Sequence, residues 1–464
     1  MSVFIFPGFA LPKTNVMLVG IMASLVLYSC RQTTSPTENH VIQEINEKEI
    51  KLGLKIIAIT GATVIDGNGG QPIANGCVIV ENGKIREVGK NGEVSIPAGA
   101  EIVDGKGMSL LPGFIDSHFH LDGEENLPAL FLQNGVTSLR DPGAWIEAYD
   151  GERKSGKPVP RLFLADPHLD MFPPAYPKDA YVVRDAQEAV HQVNKMADRG
   201  ASVIKVYFRL PAGIIQEICK AAHQRGLPVT GHLETTEAME AIEAGLDGIE
   251  HITSFGLSLQ PQIEGEKYRQ RVLADNNARK EGRYDVWKKL DVSGWRADTL
   301  MKFLVRKGTF VSPTLGAFEY QAPEMNKMEV GESTQGKGVP AAPTGLTTDT
   351  TRLTAFNHMK ALTAKLKKGG VKIVVGSHSM ITYALTGWAY QREMEILVES
   401  GLTPAEVIVA ATMENARFFR IDDRLGSIEK GKLADMILVR GNPLENFSAI
   451  RQVDKVMLNG VWVK

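Results

Sequence analysis

Cysteine is scarce in this chain: its 464 residues include three, Cys30, Cys77 and Cys219. That is too few to staple a fold of this size with a disulfide framework, so Cys77 and Cys219 read as small core residues. Net charge is scarce as well. Against 52 basic side chains stand 54 acidic ones, a formal net charge of −2. No block of Lys or Arg stands out, so the electrostatic footprint of a nucleic-acid binder is missing. The hydrophobic share of 43% and charged share of 23% belong to an ordinary globular protein. One α/β barrel can absorb roughly 250 residues or more, so most of the chain fits a single large domain.

The start of the chain has almost no charge. Lys13 is the only charged side chain before Arg31, and Val16 to Leu27 is an apolar run. A lone membrane-spanning helix needs roughly 20 apolar residues; this run is shorter and fits a signal-peptide core. It leads into Leu27-Tyr28-Ser29-Cys30, which resembles the lipobox of bacterial lipoproteins, where the Cys is acylated and becomes the new N-terminus. Residues 1–30 are therefore expected to be a signal peptide, with an uncleaved membrane anchor or a misassigned start codon as the alternative. The apolar run argues for export, as a periplasmic or membrane-anchored lipoprotein whose membrane contact runs through Cys30. Residues 31–52, including His40, are polar and read as a tether.

From Ile56 the pattern changes to short apolar runs broken by Gly and Asn. Asn82-Gly83 between two of them is a strong hairpin signal. A matching pattern returns in Ala434–Val439 and Lys455–Trp462. A small β-sandwich domain formed from both chain ends (53–110 and 425–464) is expected, with the segment 111–424 inserted between them. That segment alternates strands and helices, the mark of parallel βα units, and predicts a (β/α)₈ barrel. One unit is clear. Asp185-x-x-Glu188 resembles a capping box, and helical spacing then runs to Gly200. The strand Ser202–Phe208 follows, with Val203, Lys205 and Tyr207 on its barrel-interior face, and Pro211 to Gly226 supplies the next helix. Gln321 to Arg352 has no clear period; a lid and plain disorder remain equal alternatives.

Pro112-Gly113-Phe114-Ile115-Asp116-Ser117-His118-Phe119-His120 carries the strongest chemical signal. His118 and His120 sit two apart at a strand end, so both imidazoles project to one side, as half of a transition-metal site would require. Lys205, His232 and His251 each lie near the C-terminal end of a later strand, where barrel enzymes gather their catalytic groups. His168 and Arg140-Asp141 fall beside other strand ends; the first reads as surface loop or substrate contact, the second as structural. His191, His223 and His358 read as solvent-facing helix residues.

The sequence resembles the amidohydrolase superfamily, in the branch of imidazolonepropionase-like and prolidase-like enzymes. The resemblance runs from about Ile57 to the C-terminus through Leu111–Asp116, Asn134–Asp141, Gly401–Pro404, Ala411-Thr412 before Asn415-Ala416, and Gly426–Asp435. It implies a hydrolase of amide, cyclic amide or dipeptide C–N bonds that uses a metal-bound water on a small-molecule substrate. By the same resemblance, His118 and His120 bind a metal. Lys205, carbamylated by CO₂, bridges to a second, and His232 and His251 bind that one. One or two divalent ions, zinc foremost, are implied, and Tyr207 could donate to the developing oxyanion. The family commonly carries an Asp at the end of the eighth strand. Here His378 takes its place, in Val375-Gly376-Ser377-His378, so a catalytically impaired or non-hydrolytic metal-binding protein is the alternative function. An oligomer is left open. If the export signal is real, Cys30→Ser should move the protein from the membrane to the soluble fraction; native protein that fractionates as soluble and cytoplasmic would refute it.

Overall fold

The computed structural model describes residues 42–464 apart from 122, 125 and 323–347. The signal peptide with Cys30, His40, and most of the segment 321–352 lie outside the described residues. No helix among the described residues is long and apolar enough to cross a membrane.

Strands from both chain ends make one sheet. Its members are β1 (Ile57–Val64), β2 (Ile73–Glu81), β3 (Lys84–Lys90), β4 (Glu101–Asp104) and β5 (Met108–Pro112) from the front. β16 (Met436–Arg440), β17 (Val453–Leu458) and β18 (Val461–Trp462) come from the back. The order is β18-β17-β16-β5-β1-β2-β3, with β4 also on β1. The composite domain is therefore as expected in its parts. In place of two separate sheets, a single sheet bends around a core of Ile57, Ile59, Val78, Val80, Leu110, Met436 and Leu438. The reason is a bulge: β1 pairs with β4 over residues 57–60 and with β5 at 63–64, and Gly61 between them takes φ 83°. The Asn82-Gly83 turn closes the β2–β3 hairpin with both residues at positive φ, 52° and 71°, the signature of a type I′ turn.

Between the two ends run eight parallel strand positions in chain order. They are β6 (Phe114–Asp116), β7 (Val136–Asp141), β8 (Arg161–Leu164) continued by β9 (His168–Asp170), β11 (Ile204–Val206), β12 (Val229–Gly231), β13 (Gly248–Glu250), β14 (Phe310–Ser312) and β15 (Lys372–Ile373). β10 (Ala180–Val182) adds to β9 on the side. The ladder runs as two sheets, β6-β7-β8 and β10-β9-β11-β12-β13-β14-β15. Backbone bonds span both seams: Ser202 N to Leu164 O at 2.8 Å, and Ser117 N to Val375 O at 3.0 Å with His378 N to His118 O at 2.7 Å. Most of these strands are buried on both faces, as parallel strands covered by helices require. The helix Ala186–Asp198 follows its Asp185 cap, which accepts from Glu188 N. Glu188 reaches back to Arg184 N rather than to the cap residue, so the box is shifted by one residue.

The expected tether is not free along its described part. Ile42, Glu44 and Asn46 are buried. Asn46 donates to Pro160 O and accepts from Leu162 N, at 2.8 and 2.9 Å. Arg161 at the head of β8 pairs with both Glu44 and Asp435, the latter at 2.6 Å. One buried guanidinium thus joins the N-terminal segment, the barrel and the end sheet. Removing one partner from a buried ion network strands the others. Arg161→Met should lower unfolding free energy by about 3–5 kcal/mol, read as a drop in denaturant midpoint; an unchanged midpoint would show that the network contributes nothing.

Candidate active site

At the C-terminal ends of these strands, where a barrel places its chemistry, the chain crowds five histidines. His118 follows β6, His232 follows β12, His251 follows β13 and His378 follows β15; His120 lies two residues beyond His118. The Nε2 atoms of His118 and His120 stand 3.0 Å apart. The His251 ring lies 4.5 Å from that of His118, 4.4 Å from His232 and 5.4 Å from His378. His378 stacks on His118 at 5.3 Å and lies 5.0 Å from His120. One ligand-type atom from each of His118, His120 and His378 fits within a mutual 4.8 Å. Lys205, on β11, reaches the same interior and is 2% exposed.

Buried carboxylates organise this crowd. Glu250 ends β13, and its two oxygens take the Arg140 Nη2–H at 2.6 Å and the His118 Nδ1–H at 2.7 Å. Its Oε1 also stands 4.0 Å from Lys205 Nζ. With Nδ1 engaged, His118 presents its Nε2 lone pair to the interior. Asp116 Oδ1 accepts from His118 N and Ser377 N, at 3.0 and 2.9 Å, fastening β6 to the loop after β15. Asp141 accepts from Leu121 N, Gly143 N, Ala144 N and the Tyr149 hydroxyl. It also stands 3.5 Å from His120 Nδ1. Arg140 and Asp141, adjacent in the chain, are both buried and serve different partners.

Burial sets the protonation states. It holds His118 and His251 well below the usual imidazole range, His232 to about 4, and His378 and His168 to about 3. All five are neutral lone-pair donors at pH 7. Burial also lowers the Lys205 ammonium to about 8, against the opposing pull of Glu250. Tyr207 is pushed upward by burial and stays protonated. Its ring sits between His168 at 4.3 Å and His232 at 4.7 Å.

His118, His120, Lys205, Tyr207, His232, His251 and His378 thus converge on one place. His168 corrects its expectation: it is a β9 residue, 4% exposed, with Nε2 unbonded, not surface loop. Asp166 explains the error, because its φ of 66° breaks the third strand in two and lets β9 re-enter the barrel. His358 also differs, half-buried and donating from Nδ1 to Trp287 O at 2.8 Å. His191 and His223 are exposed, and Cys77 and Cys219 are buried and free. Glu250 was missed. Strand alternation sends neighbours to opposite faces, so Glu250 and His251 cannot both be inward on a regular strand. His251 takes φ 61°, ψ 127°, and both side chains reach the site.

The model of the amidohydrolase family matches residues 109–463. The chain belongs to that family. Among the relatives of this amidohydrolase, an N-acyl-D-aspartate deacylase from Alcaligenes xylosoxydans xylosoxydans is 35% identical over 119 residues, 25% of this chain and 22% of the relative. An imidazolonepropionase from Idiomarina loihiensis is 40% identical over 67 residues, 14% of this chain and 16% of the relative. The match thus spans well under two thirds of either curated relative. The fold extends further: a solved Xaa-Pro dipeptidase with bound methionine in the active site superposes with a TM-score of 0.64 at 22% identity, covering 88% of this chain and 99% of that one.

Proposed function

We propose that this amidohydrolase hydrolyses a C–N bond of a small-molecule amide, cyclic amide or dipeptide, with one or two divalent ions, zinc foremost. The observation that carries the reading is the convergence of His118, His120, Lys205, His232 and His251 inside one end of the barrel. The donor set suits such ions. Burial keeps His118, His232 and His251 neutral, and the buried His232 Nδ1 has no hydrogen-bond partner, an arrangement that costs free energy unless something takes the lone pair. Lys205 Nζ has no nearer acid among the described residues than Glu250 at 4.0 Å, and the free amine is the form that adds CO₂. The resulting carbamate supplies two anionic oxygens where an ammonium supplies none. In this reading His118, His120, His232 and His251 would hold the ions together with the carbamate oxygens of Lys205. Metal bound there would supply Lewis acidity toward the scissile carbonyl and the attacking water.

The chain's own groups do the rest. Tyr207 keeps its proton and donates it as a hydrogen bond to the developing oxyanion. His378 stands where relatives commonly place the carboxylate that moves a proton from water to the leaving nitrogen. An imidazole doing that work turns cationic beside positive ions, whereas a carboxylate turns merely neutral, so the step is disfavoured. General acid–base help is worth roughly 10²- to 10⁴-fold, and this enzyme is accordingly a slow hydrolase of ordinary amides, or one whose leaving group needs little protonation. A second reading has its own support: the mutual closeness of His118, His120 and His378 suits a single ion with His378 as third ligand. The Leu27–Cys30 segment supports an exported lipoprotein.

Protein prepared without chelator should contain at least one stoichiometric divalent ion by elemental analysis, and its absence would sink the hydrolase reading. His378→Asp should raise turnover of an activated amide while keeping the metal. If His378→Ala instead strips the metal, His378 is a ligand and the proton moves by another group; rapid wild-type turnover of ordinary dipeptides would overturn the impairment.

A further inference from the structure

The helix Ala278–Trp287 lies between β13 and β14 in the chain and carries Arg279 and Arg283 four residues apart, on one face. That face meets the rim of the site. Arg283 stands 3.5 Å from Glu234 Oε1, which in turn stands 3.4 Å from His232 Nε2. The Arg279 guanidinium lies 5.3 Å from the Tyr176 ring and 5.3 Å from the Phe208 ring. Tyr176 is 5.9 Å from Tyr207.

Arg279 is 4% exposed. No carboxylate among the described residues lies within ion-pair distance of it, and its Nε has no hydrogen-bond partner. The neighbouring charges are otherwise spoken for. Arg209 donates to Val272 O, Leu273 O and Asn276 Oδ1. Asp170 accepts from Met171 N, Ala175 N and Arg209 N. Glu234 serves Arg283 and the Tyr268 hydroxyl. Arg283 thus has a carboxylate and Arg209 has carbonyl and amide oxygens, whereas no acid stands within ion-pair distance of Arg279 among the described residues. Aromatic faces shelter it, yet a buried guanidinium without an acid is costly. Tyr176 takes a hydrogen bond from Arg279, but Nε is left without a partner, and a guanidinium with donors to spare is preorganised for a planar anion.

We infer that Arg279 receives a carboxylate of the substrate, so that the site selects N-acyl amino acids or dipeptides over uncharged amides. One surplus positive charge matches a monoanion better than a phosphate dianion. The inference rests on the hydrolase reading above for its substrate class, and on the Arg279 surroundings alone for its anion site.

The test uses metal-loaded protein and paired probes: N-acetyl amino acids and dipeptides of both hands, each with its C-terminal carboxamide. Binding is read by calorimetry and turnover by product release. At least one acid should bind tenfold or more tighter than its amide. Arg279→Met should weaken the acid by about 10- to 100-fold, the span of a charged hydrogen bond, leave the amide unchanged, and so erase the preference. Arg279→Lys should restore part of it. Should the Met variant fail to fold, the acid-to-amide ratio of the wild type against that of the Lys variant decides. Equal binding of acids and amides by the wild type, or equal weakening of both by the substitutions, would overturn the inference and identify Arg279 as an aromatic-packed structural residue. Acid-selective binding without turnover of any probe would leave the anion site standing and sink the hydrolase reading. Turnover blind to the carboxylate would do the reverse.

Discussion

Glu250 is a carboxylate without access to water, and three basic groups from three other strands depend on it. Arg140 comes from β7, His118 from the end of β6 and Lys205 from β11. Burying an acid is tolerable only when it is paired and hydrogen-bonded, so this one carboxylate demands that the three strands stand in one register. It also fixes which nitrogen of His118 carries the proton, leaving the other free for the site. Its nearness to Lys205 sets a balance: Glu250 favours the ammonium while burial and Arg140 disfavour it.

The scaffold holds several strand ends in backbone conformations that L residues avoid. Asp166, His251, Thr314, His378 and Ser379 all take φ between 48° and 66°. Each such position costs on the order of 1–3 kcal/mol and persists only where its surroundings insist. Here they do. The Thr314 hydroxyl meets His251 Nδ1 at 2.6 Å, and the chain just beyond it is gripped by Glu393, which accepts from Leu315 N and Gly316 N at 2.9 and 2.7 Å. His378 is pinned by its own N–H to His118 O. Gly376 leaves room for this: a Cβ there would stand 2.6 Å from that of His118.

Two layers of the site thus answer to different parts of the chain. The histidines and Lys205 come from the strand ends that define the barrel. The cationic rim comes from the helix Ala278–Trp287, in the long excursion between β13 and β14, and the aromatic lining from Tyr176 and Phe208 in loops. Chemistry held on strands with a rim held on excursions is how one barrel serves many substrates.

Much of this was legible beforehand. The alternation of strands and helices marked the barrel, Asn82-Gly83 the hairpin, and the His118-x-His120 pair with three later strand-end residues marked the site. These are local signals: period, turn chemistry and position at a strand end. What the sequence could not disclose depends on breaks in that period. His168 looked like loop because Asp166 interrupts the strand, and Glu250 went unnoticed because regular alternation cannot turn it inward beside His251, which only the positive φ of His251 allows. The segment 42–50 looked like tether because its polar side chains give no hint that Arg161 awaits Glu44. Arg279 sat unremarked on a polar helix, since a charge run gives no sign of which cation will be buried without its acid. The sequence alone determined which elements form and which residues can do chemistry; tertiary structure decided which buried charges are paired and which are left for a ligand, because pairing at a distance is settled only when strands far apart in the chain are packed together.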